Sequence, residues 1–596
     1  MGLPGHATGT AGPHSARNNS GGGLPHGTAT SSPAQADGRS PPTHPALQSF
    51  LAFIESQQEL ANHPPSPSAP AFDAKRHWKR IANYQVEPAF FSYNRLSEPI
   101  ALHDPVVIRE ILSKTMTSPT AQGDLVTAAI TKSCCELYET LDRTGQSAFI
   151  RVLAHDYGVS SAATRTALRA YTTDVAEPAT ADPPSHPVDP RTRLDREHAL
   201  RHALTPAYDV FFHRASKVPG GFKFIIDLRS LLLKLVAQAQ APHQEPGYHL
   251  VALNRYLRRR LQDWLVGELD LQRITWNSPA ATLEKLSNYE AVHAVSGWDD
   301  LKKRVGPGRR CYGFFHHTIP YEPLVFVQVA LVNRISSNVQ KILNDPRPQI
   351  APEDAKCAIF YSITSQRGLA GVELGNFLIK RVVRELQQTH PNLGVFCTLS
   401  PIPGFRAWLM RQFGNGSVQV DADSVPAAID MDHRPELEDY ASALADPHLI
   451  TPTDRARLAT LRRDHTGAST ADPTAWLTVL RDLVATAAWA GDQASRDALH
   501  PVLMRLCAHY LTRQKRGGLW ALDPVANFHL RNGAVVHRIN WLADTSPKGL
   551  YESLGMMVNY NYVLPDVERN NYNYTRHGTI SVTPDDPLLA EAKPQL

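Results

Sequence analysis

A short apolar run, Val395-Phe396-Cys397-Thr398-Leu399, stops abruptly at Ser400-Pro401-Ile402-Pro403-Gly404-Phe405. The run reads as a buried strand. Pro401 and Pro403 fix φ and carry no N–H donor, so a central strand cannot continue through them. The chain must therefore hold the Ser400 hydroxyl at a rigid strand end, where sites commonly lie in open α/β sheets. The same serine also reads as a turn residue closing a strand. No Gly-x-Ser-x-Gly elbow surrounds it, which argues against an α/β-hydrolase.

The strand closes a βαβ pattern. Cys357 to Ile363 is an apolar run, and Gln366-Arg367-Gly368-Leu369-Ala370-Gly371-Val372-Glu373-Leu374-Gly375 is a glycine-rich loop. A helix then carries Leu374, Leu378, Val382 and Leu386 in one stripe, widened by Ile379 and Val383. Leu324 to Val332 reads as a central strand further upstream. The texture before about residue 250 is different. Pro105 to Lys114, Gly123 to Leu141, Ser147 to Tyr157, His198 to Lys217 and Phe222 to Gln240 all read as helices. The expected fold is a multidomain α + α/β chain. Residues 1–74 form a disordered low-complexity region, 75–250 an all-α helical bundle domain and 251–596 a catalytic domain. An Ala/Asp/Pro-rich insertion is expected at 415–474, and a Pro-, Asp- and Thr-rich insert near 171–190.

Composition excludes several classes. The formal net charge is +4 over 596 residues, with Lys and Arg spread along the chain, so no nucleic-acid surface is expected. Arg258-Arg259-Arg260, the densest basic cluster, lies in an apparent helix and reads as a solvated face. Of the six cysteines, Cys134 and Cys135 are adjacent and Cys311, Cys357, Cys397 and Cys507 are scattered, with neither metal spacing nor a disulfide framework, which fits a reducing compartment. The most apolar stretch, Phe224 to Val236, is broken by Asp227, Arg229 and Lys234, so no membrane span is expected. The reading is of a soluble intracellular protein. Arg17 and Arg39, with Asp37 the only acidic residue before residue 55, hint at a transit peptide, but no amphipathic Arg-rich helix stands near Met1. Pro594-Gln595-Leu596 departs from Ser-Lys-Leu at two positions. Mitochondrial matrix, peroxisome and cytoplasm stay open.

Three further motifs can carry chemistry. Bare N–H groups before a helix attract anions, and glycine lets a phosphate approach, so the 366–375 loop suits a pyrophosphate. It has neither Gly-x-Gly-x-x-Gly nor P-loop spacing, and it also reads as a tight strand-to-helix turn. It is loosely similar to the pyrophosphate loop of the Gcn5-related N-acetyltransferases. Phe528-His529-Leu530-Arg531-Asn532-Gly533 places a histidine before an Asn-Gly turn, where it can exchange protons near neutral pH or serve structure alone. His537 is a rival, set mid-strand. Asn559-Tyr560-Asn561-Tyr562 can line a pocket or close a core. His316-His317 invites a metal, but no third ligand stands at a recognisable spacing.

In order along the chain, Arg309-Arg310-Cys311-Tyr312, Phe360-Tyr361-Ser362-Ile363, Gly368-Leu369-Ala370-Gly371-Val372-Glu373-Leu374-Gly375, Leu399-Ser400-Pro401-Ile402-Pro403-Gly404-Phe405 and Phe528-His529-Leu530-Arg531-Asn532-Gly533-Ala534 resemble malonyl-CoA decarboxylase. The resemblance runs from about residue 75 to 575. It implies a helical domain that forms homo-oligomers (dimer or tetramer) and an acetyltransferase-like (Gcn5-related N-acetyltransferase fold) catalytic domain. It implies decarboxylation of malonyl-CoA to acetyl-CoA and CO2, in fatty acid metabolism. Ser400 and His529 would be the catalytic pair. Ala370, Gly371, Val372, Glu373, Leu374, Gly375 and Asn376 would form the coenzyme A loop, with Tyr562 a neighbour of the site. The family usually has glycine where this chain has Tyr321. The thioester carbonyl is itself the electron sink, so no cofactor or metal is expected. Two rivals remain: an acyl-CoA N-acetyltransferase, which leaves Ser-Pro-Ile-Pro-Gly-Phe without a role, and a non-catalytic acyl-CoA-binding protein.

Overall fold

The computed structural model describes residues 52, 101–117, 124–172, 189–239, 247–345, 350–372, 374, 377–414, 443–466, 475–584 and 586–591. The expected low-complexity region (residue 52 apart), residues 173–188 of the first insert and 415–442 and 467–474 of the second lie outside the described residues.

Eight described helices, residue 52 aside, precede the first strand: α1 (Pro105–Thr117), α2 (Asp124–Thr140), α3 (Arg143–Asp156), α4 (Ser161–Thr172), α5 (Pro190–Ala203), α6 (Tyr208–Ala215), α7 (Gly221–Ala239) and α8 (Tyr248–Leu265). The centre of this part is α7, which buries Phe222, Phe224, Ile225, Ile226, Leu228, Leu232 and Leu235. A helix apolar on nearly every side belongs inside. On α8, Leu253, Leu257, Leu261 and Leu265 recur every fourth residue and are all buried. Of the basic cluster on α8, Arg259 is exposed, while Arg260 turns to Asp209 and the Tyr256 hydroxyl. One expectation is corrected. His198 to Lys217 is not one helix: α5 ends at Ala203 and α6 begins at Tyr208. Pro206 lacks an N–H and pushes Thr205 out of the helical region.

The strands follow: β1 (Leu269–Ile274), β2 (Arg309–His316), β3 (Val325–Val332), β4 (Cys357–Ser365), β5 (Val395–Thr398), β6 (Ser400–Pro401), β7 (Lys515–Arg516), β8 (Trp520–Ala521), β9 (Val535–Asn540) and β10 (Met557–Asn561). The main sheet runs β1-β2-β3-β4-β5-β10-β6, with β9 also paired to β10; β7 and β8 form a separate pair. Only β4 and β5 are parallel; the other named pairs are antiparallel. The parallel pair needs a crossover, and the helix Phe377–Thr389 supplies it.

The helices that frame the sheet are α9 (Ala280–Tyr289), α10 (Trp298–Arg304), α11 (Val339–Asn344), α12 (Phe377–Thr389), α13 (Phe405–Gln412), α14 (Pro452–Thr466), α15 (Gln493–Thr512), α16 (Pro524–Arg531) and α17 (Val567–His577). Two small cores, around Leu283, Leu286, Phe315 and Phe326 and around Val339, Ile359, Cys397 and Leu399, pack α9, α10 and α11 against strand residues. The main core runs without a break from α1 through α7 and α8 into the sheet and on to α15 and α16. Within the expected 415–474 insert, Leu458 of α14 joins that core. Among the described residues, no helix is long and apolar enough to cross a membrane.

The corner before β3 puts Tyr321 at φ 63. Glycine adopts this left-handed region freely and a bulky side chain does so under strain. The Tyr321 carbonyl accepts from Thr282 Oγ1 at 3.4 Å and Lys285 Nζ at 3.5 Å, which holds the corner in place. Tyr321→Gly is expected to stabilise the fold by about 0.5–1 kcal/mol, read as a higher urea midpoint at constant slope. A lower midpoint would mean that the ring's contacts outweigh the strain.

Candidate active site

The prolines do not end strand pairing at Leu399, as expected from sequence. Cys397 faces Asn561 on β10, Ser400 faces Val558 and Pro401 faces Met557, the same register on both sides of Leu399. Pairing is tolerated because β6 has a partner on one side only, where proline's missing donor leaves no gap in a ladder. The ladder is interrupted at Thr398 and Leu399, and side chains replace its bonds there. Thr398 Oγ1 accepts the Tyr560 N–H at 3.0 Å, and Asn559 Nδ2 donates to the Thr398 carbonyl at 2.7 Å.

The interruption has a larger consequence. Pairing between β4 and β5 stops at Phe360 and Thr398, with a last bond from the Leu399 N–H to the Phe360 carbonyl at 3.0 Å. Beyond it β4 stays with β3 as far as Ser365, while the other strand stays with β10. The two parallel strands part company there, and the sheet opens between their C-terminal ends. Ser400 stands on one side of the opening and the glycine-rich loop leaves from the other.

His529 arrives on α16. Asp523 caps that helix, accepting the Ala526 N–H at 2.9 Å, and Pro524 occupies the first turn, where a missing donor costs nothing. Gly533 ends it at φ 81, against Val567, whose carbonyl would lie 2.1 Å from an added Cβ. His529 is buried and held on three sides. Nε2 lies 3.1 Å from Ser400 Oγ, Nδ1 lies 2.8 Å from the Tyr562 hydroxyl, and the ring stacks on Tyr560 at 4.6 Å between centroids. Ser400 Oγ in turn donates to Thr398 Oγ1 at 3.0 Å. With the serine proton given to Thr398, Nε2–H donates to Ser400 and Tyr562 donates to Nδ1, one consistent tautomer of a neutral ring. Burial favours that neutral form and pushes the His529 pKa from 6.5 down to about 3.

Asp523 ties the two halves together. It is fully buried, and burial lifts its pKa from 3.8 to about 6, against the N–H groups of Ala526, Gly404 and Val525 and the Tyr510 hydroxyl, which favour the carboxylate. Gly404 belongs to the loop after Ser400, so one carboxylate holds both that loop and the His529 helix. A Cβ at Gly404 would lie 2.2 Å from the Tyr510 oxygen, so only glycine fits.

The remaining expected residues fall as follows. The loop begins with a 3-10 turn, Arg367–Leu369. Ala370 and Leu374 are buried, Val372 is half-buried, and Gly371 sits at φ 70. Glu373, Gly375 and Asn376 lie outside the described residues. His537 lies mid-strand with Nδ1 3.1 Å from Thr583 Oγ1, and His316 stacks against Phe222 and His317 with Nδ1 on Thr318. Sequence reasoning missed Thr398, Asp523 and Tyr510. Asp523-Pro524 ahead of an apolar stretch is a helix-start signal that was available.

Two outcomes follow. Asp523→Ala is expected to cost about 1–3 kcal/mol and to lower kcat more than it raises KM; unchanged kcat would remove Asp523 from the site. A buried His529 with its pKa depressed supplies stability that is full above 6.5 and is lost as pH falls toward about 3. The stability difference between the parent and His529→Asn should therefore shrink, in the parent's disfavour, from pH 7 to pH 4 in parallel denaturant titrations. A constant difference would contradict a neutral buried ring.

The malonyl-CoA decarboxylase C-terminal domain model matches residues 267–592, and the N-terminal domain model of the same family matches 157–265. The chain is 43% identical to the mitochondrial malonyl-CoA decarboxylase of Rattus norvegicus over 408 residues, 67% of this chain and 73% of that protein. It is 41% identical to the mitochondrial enzyme of Anser anser anser over 64% of this chain and 70% of the relative. Among solved structures, malonyl-CoA decarboxylase from Rhodopseudomonas palustris superposes with a TM-score of 0.64 at 30% identity, covering 83% of this chain and all of that one. The Agrobacterium vitis protein gives 0.61 at 29% identity, over 82% of this chain. With both halves matched and the fold shared, this chain belongs to the malonyl-CoA decarboxylase family of carboxy-lyases.

Proposed function

We propose that this chain converts malonyl-CoA to acetyl-CoA and CO2 at the opening between β4 and β5, with Ser400 and His529 as the reacting pair. The observation that carries this reading is the buried 3.1 Å contact between Ser400 Oγ and His529 Nε2, braced by Tyr562, in a chain of this family. The opened parallel pair, with a glycine-rich loop leaving β4, supports an acetyltransferase-like reading of the sheet. Ala370, Gly371, Val372, Glu373, Leu374, Gly375 and Asn376 would then hold coenzyme A by its pyrophosphate. We read residues 75–250 as a helical domain, sharing its core with the sheet, that associates with its own copies. In support, α4 and α5 bury none of their residues and leave Leu168 and Leu194 exposed.

The chemistry follows from charge. The bond between C2 and the carboxylate breaks, CO2 leaves, and the electron pair moves into the thioester as an enolate. A poorly solvated site favours loss of the carboxylate, and preorganised donors favour the enolate oxygen. The Gly404 N–H is already engaged by Asp523, and the Gly371 N–H belongs to the coenzyme A loop, so neither is assigned to the enolate oxygen. A proton must then reach C2, so each turnover consumes one. His529 is neutral in the empty site, and a malonyl carboxylate beside it favours the imidazolium. The proton enters with the anion and leaves to C2 from Nε2, directly or through Ser400. Tyr562 serves both protonation states, because a phenol hydroxyl both donates and accepts.

The test is release of CO2 and acetyl-CoA from malonyl-CoA by the purified chain. His529→Asn should lower kcat by about 10²–10⁴-fold with KM within about threefold. Near-normal turnover would sink the assignment. Because the free enzyme's His529 carries the needed proton only near its pKa of about 3, kcat/KM of the parent should fall as pH rises throughout the range above that value. No CO2 from the folded parent, with tight malonyl-CoA binding, would favour a binding protein instead.

A further inference from the structure

The glycine-rich loop does not stand on the sheet alone. Its carbonyls are gripped by an arginine from the helical half. Arg229 on α7 is 1% exposed. Its Nη1 donates to the Gly368 carbonyl, its Nη2 donates to the Ala370 carbonyl at 2.7 Å, and its Nε donates to Asn254 Oδ1 on α8 at 3.0 Å. The loop lies flat on α7 at this point. A Cβ at Gly368 would stand 1.9 Å from the Ile226 carbonyl.

A trans peptide sends its C=O and N–H to opposite sides. With the Ala370 carbonyl turned to Arg229, the Gly371 N–H points away from the helical half. Gly371 at φ 70 then reverses the chain in a conformation open to glycine. The Leu369 and Ala370 N–H groups close the 3-10 turn onto Gln366 and Arg367, at 2.8 and 3.1 Å. Arg229 thus sets the orientation of the Ala370–Gly371 peptide. A donor on a carbonyl also polarises the N–H of the same peptide, and the guanidinium places a fixed positive charge behind it. Both effects favour an anion on the far side of the loop.

We propose that Arg229 is a positioning residue for the pyrophosphate of the acyl-CoA substrate, acting through the Gly368 and Ala370 carbonyls without touching the reacting atoms. This inference rests on the malonyl-CoA reading of the loop. It makes the helical half part of the substrate site, because the side chain that orients the loop is anchored on α7 and α8.

The test compares two substrates in the full chain. One is malonyl-CoA. The other is malonyl-pantetheine, which keeps the reacting end and lacks the nucleotide and pyrophosphate. Arg229→Met should raise KM for malonyl-CoA by about tenfold or more, the effect of losing charge-assisted bonds. It should leave kcat within about threefold and kcat/KM for malonyl-pantetheine unchanged, because the lost interaction is one of uniform binding. Arg229→Lys, which keeps the charge, should recover part of the KM. An equal loss for both substrates, or a fall in kcat at constant KM, would overturn the proposal and mark Arg229 as purely structural. Should Arg229→Met fail to fold, Asn254→Ala keeps the buried charge and loosens it, and a KM rise confined to malonyl-CoA is again required. If the folded parent releases no CO2 from either substrate, the decarboxylase reading fails; calorimetric titration with coenzyme A against pantetheine then judges Arg229 on binding alone. Weaker coenzyme A binding in the variant, with pantetheine unaffected, supports the role, and equal binding by parent and variant refutes it.

Discussion

The separation of β5 from β4 at Phe360 and Thr398 is the constraint on which the site depends. A parallel pair that kept its ladder to the end would put backbone where a substrate must enter. Pairing with β4 ends at Thr398, while the strand stays tied to β10 in constant register on both sides of Leu399. Thr398 does two jobs there. Its hydroxyl takes the Tyr560 N–H and also accepts from Ser400. The group that repairs the broken ladder is therefore the group that orients the serine. Because Tyr560 also stacks on His529, the same two strands set both reacting side chains.

Two buried titratable groups near the site respond to burial in opposite senses. His529 is kept neutral by burial, and Asp523, close by in the same core, is made a weaker acid by burial. Their stability contributions run in opposite senses with pH. The aspartate's is full below 3.8 and lost as pH rises through about 6, while the histidine's is full above 6.5 and lost as pH falls. Near neutral pH the histidine contributes fully and the aspartate bears the cost. That cost is offset by tying the loop after Ser400 to the helix of His529, two segments that local structure would not align.

Local signals in the sequence reached the βαβ unit, the buried stripe on α8, the strand before Ser400 and the helix after the glycine-rich loop. These depend on residue period and on proline and glycine, which act within a few positions. Ser400, His529 and Tyr562 were found as motif members, and the fold brings them within hydrogen-bond reach. Arg229 was read only as a charge that interrupts an apolar helix; its partners lie 139 and 141 residues away. Nothing in a helical period reports such a contact. Thr398 was hidden for a different reason, since it sits inside an apolar run and its function comes from the interrupted ladder beside it. The merged helix across Pro206 was a misreading of a local signal that was present.

Ser400 and His529 are 129 residues apart, and the expected 415–474 insert lies in that interval. Closing a longer loop costs only about (3/2)RT ln n, roughly 0.6 kcal/mol per doubling. Extra chain is therefore tolerated if both ends are pinned independently of it. They are: Ser400 by its pairing with Val558, and His529 by Asp523, Tyr560 and Tyr562. All of these anchors lie outside 415–474. The insert's described part returns to the main core through Leu458 rather than through the site. A chain can thus lengthen between its two reacting residues without moving them, provided the change leaves β10 and the Asp523–Gly404 tie intact.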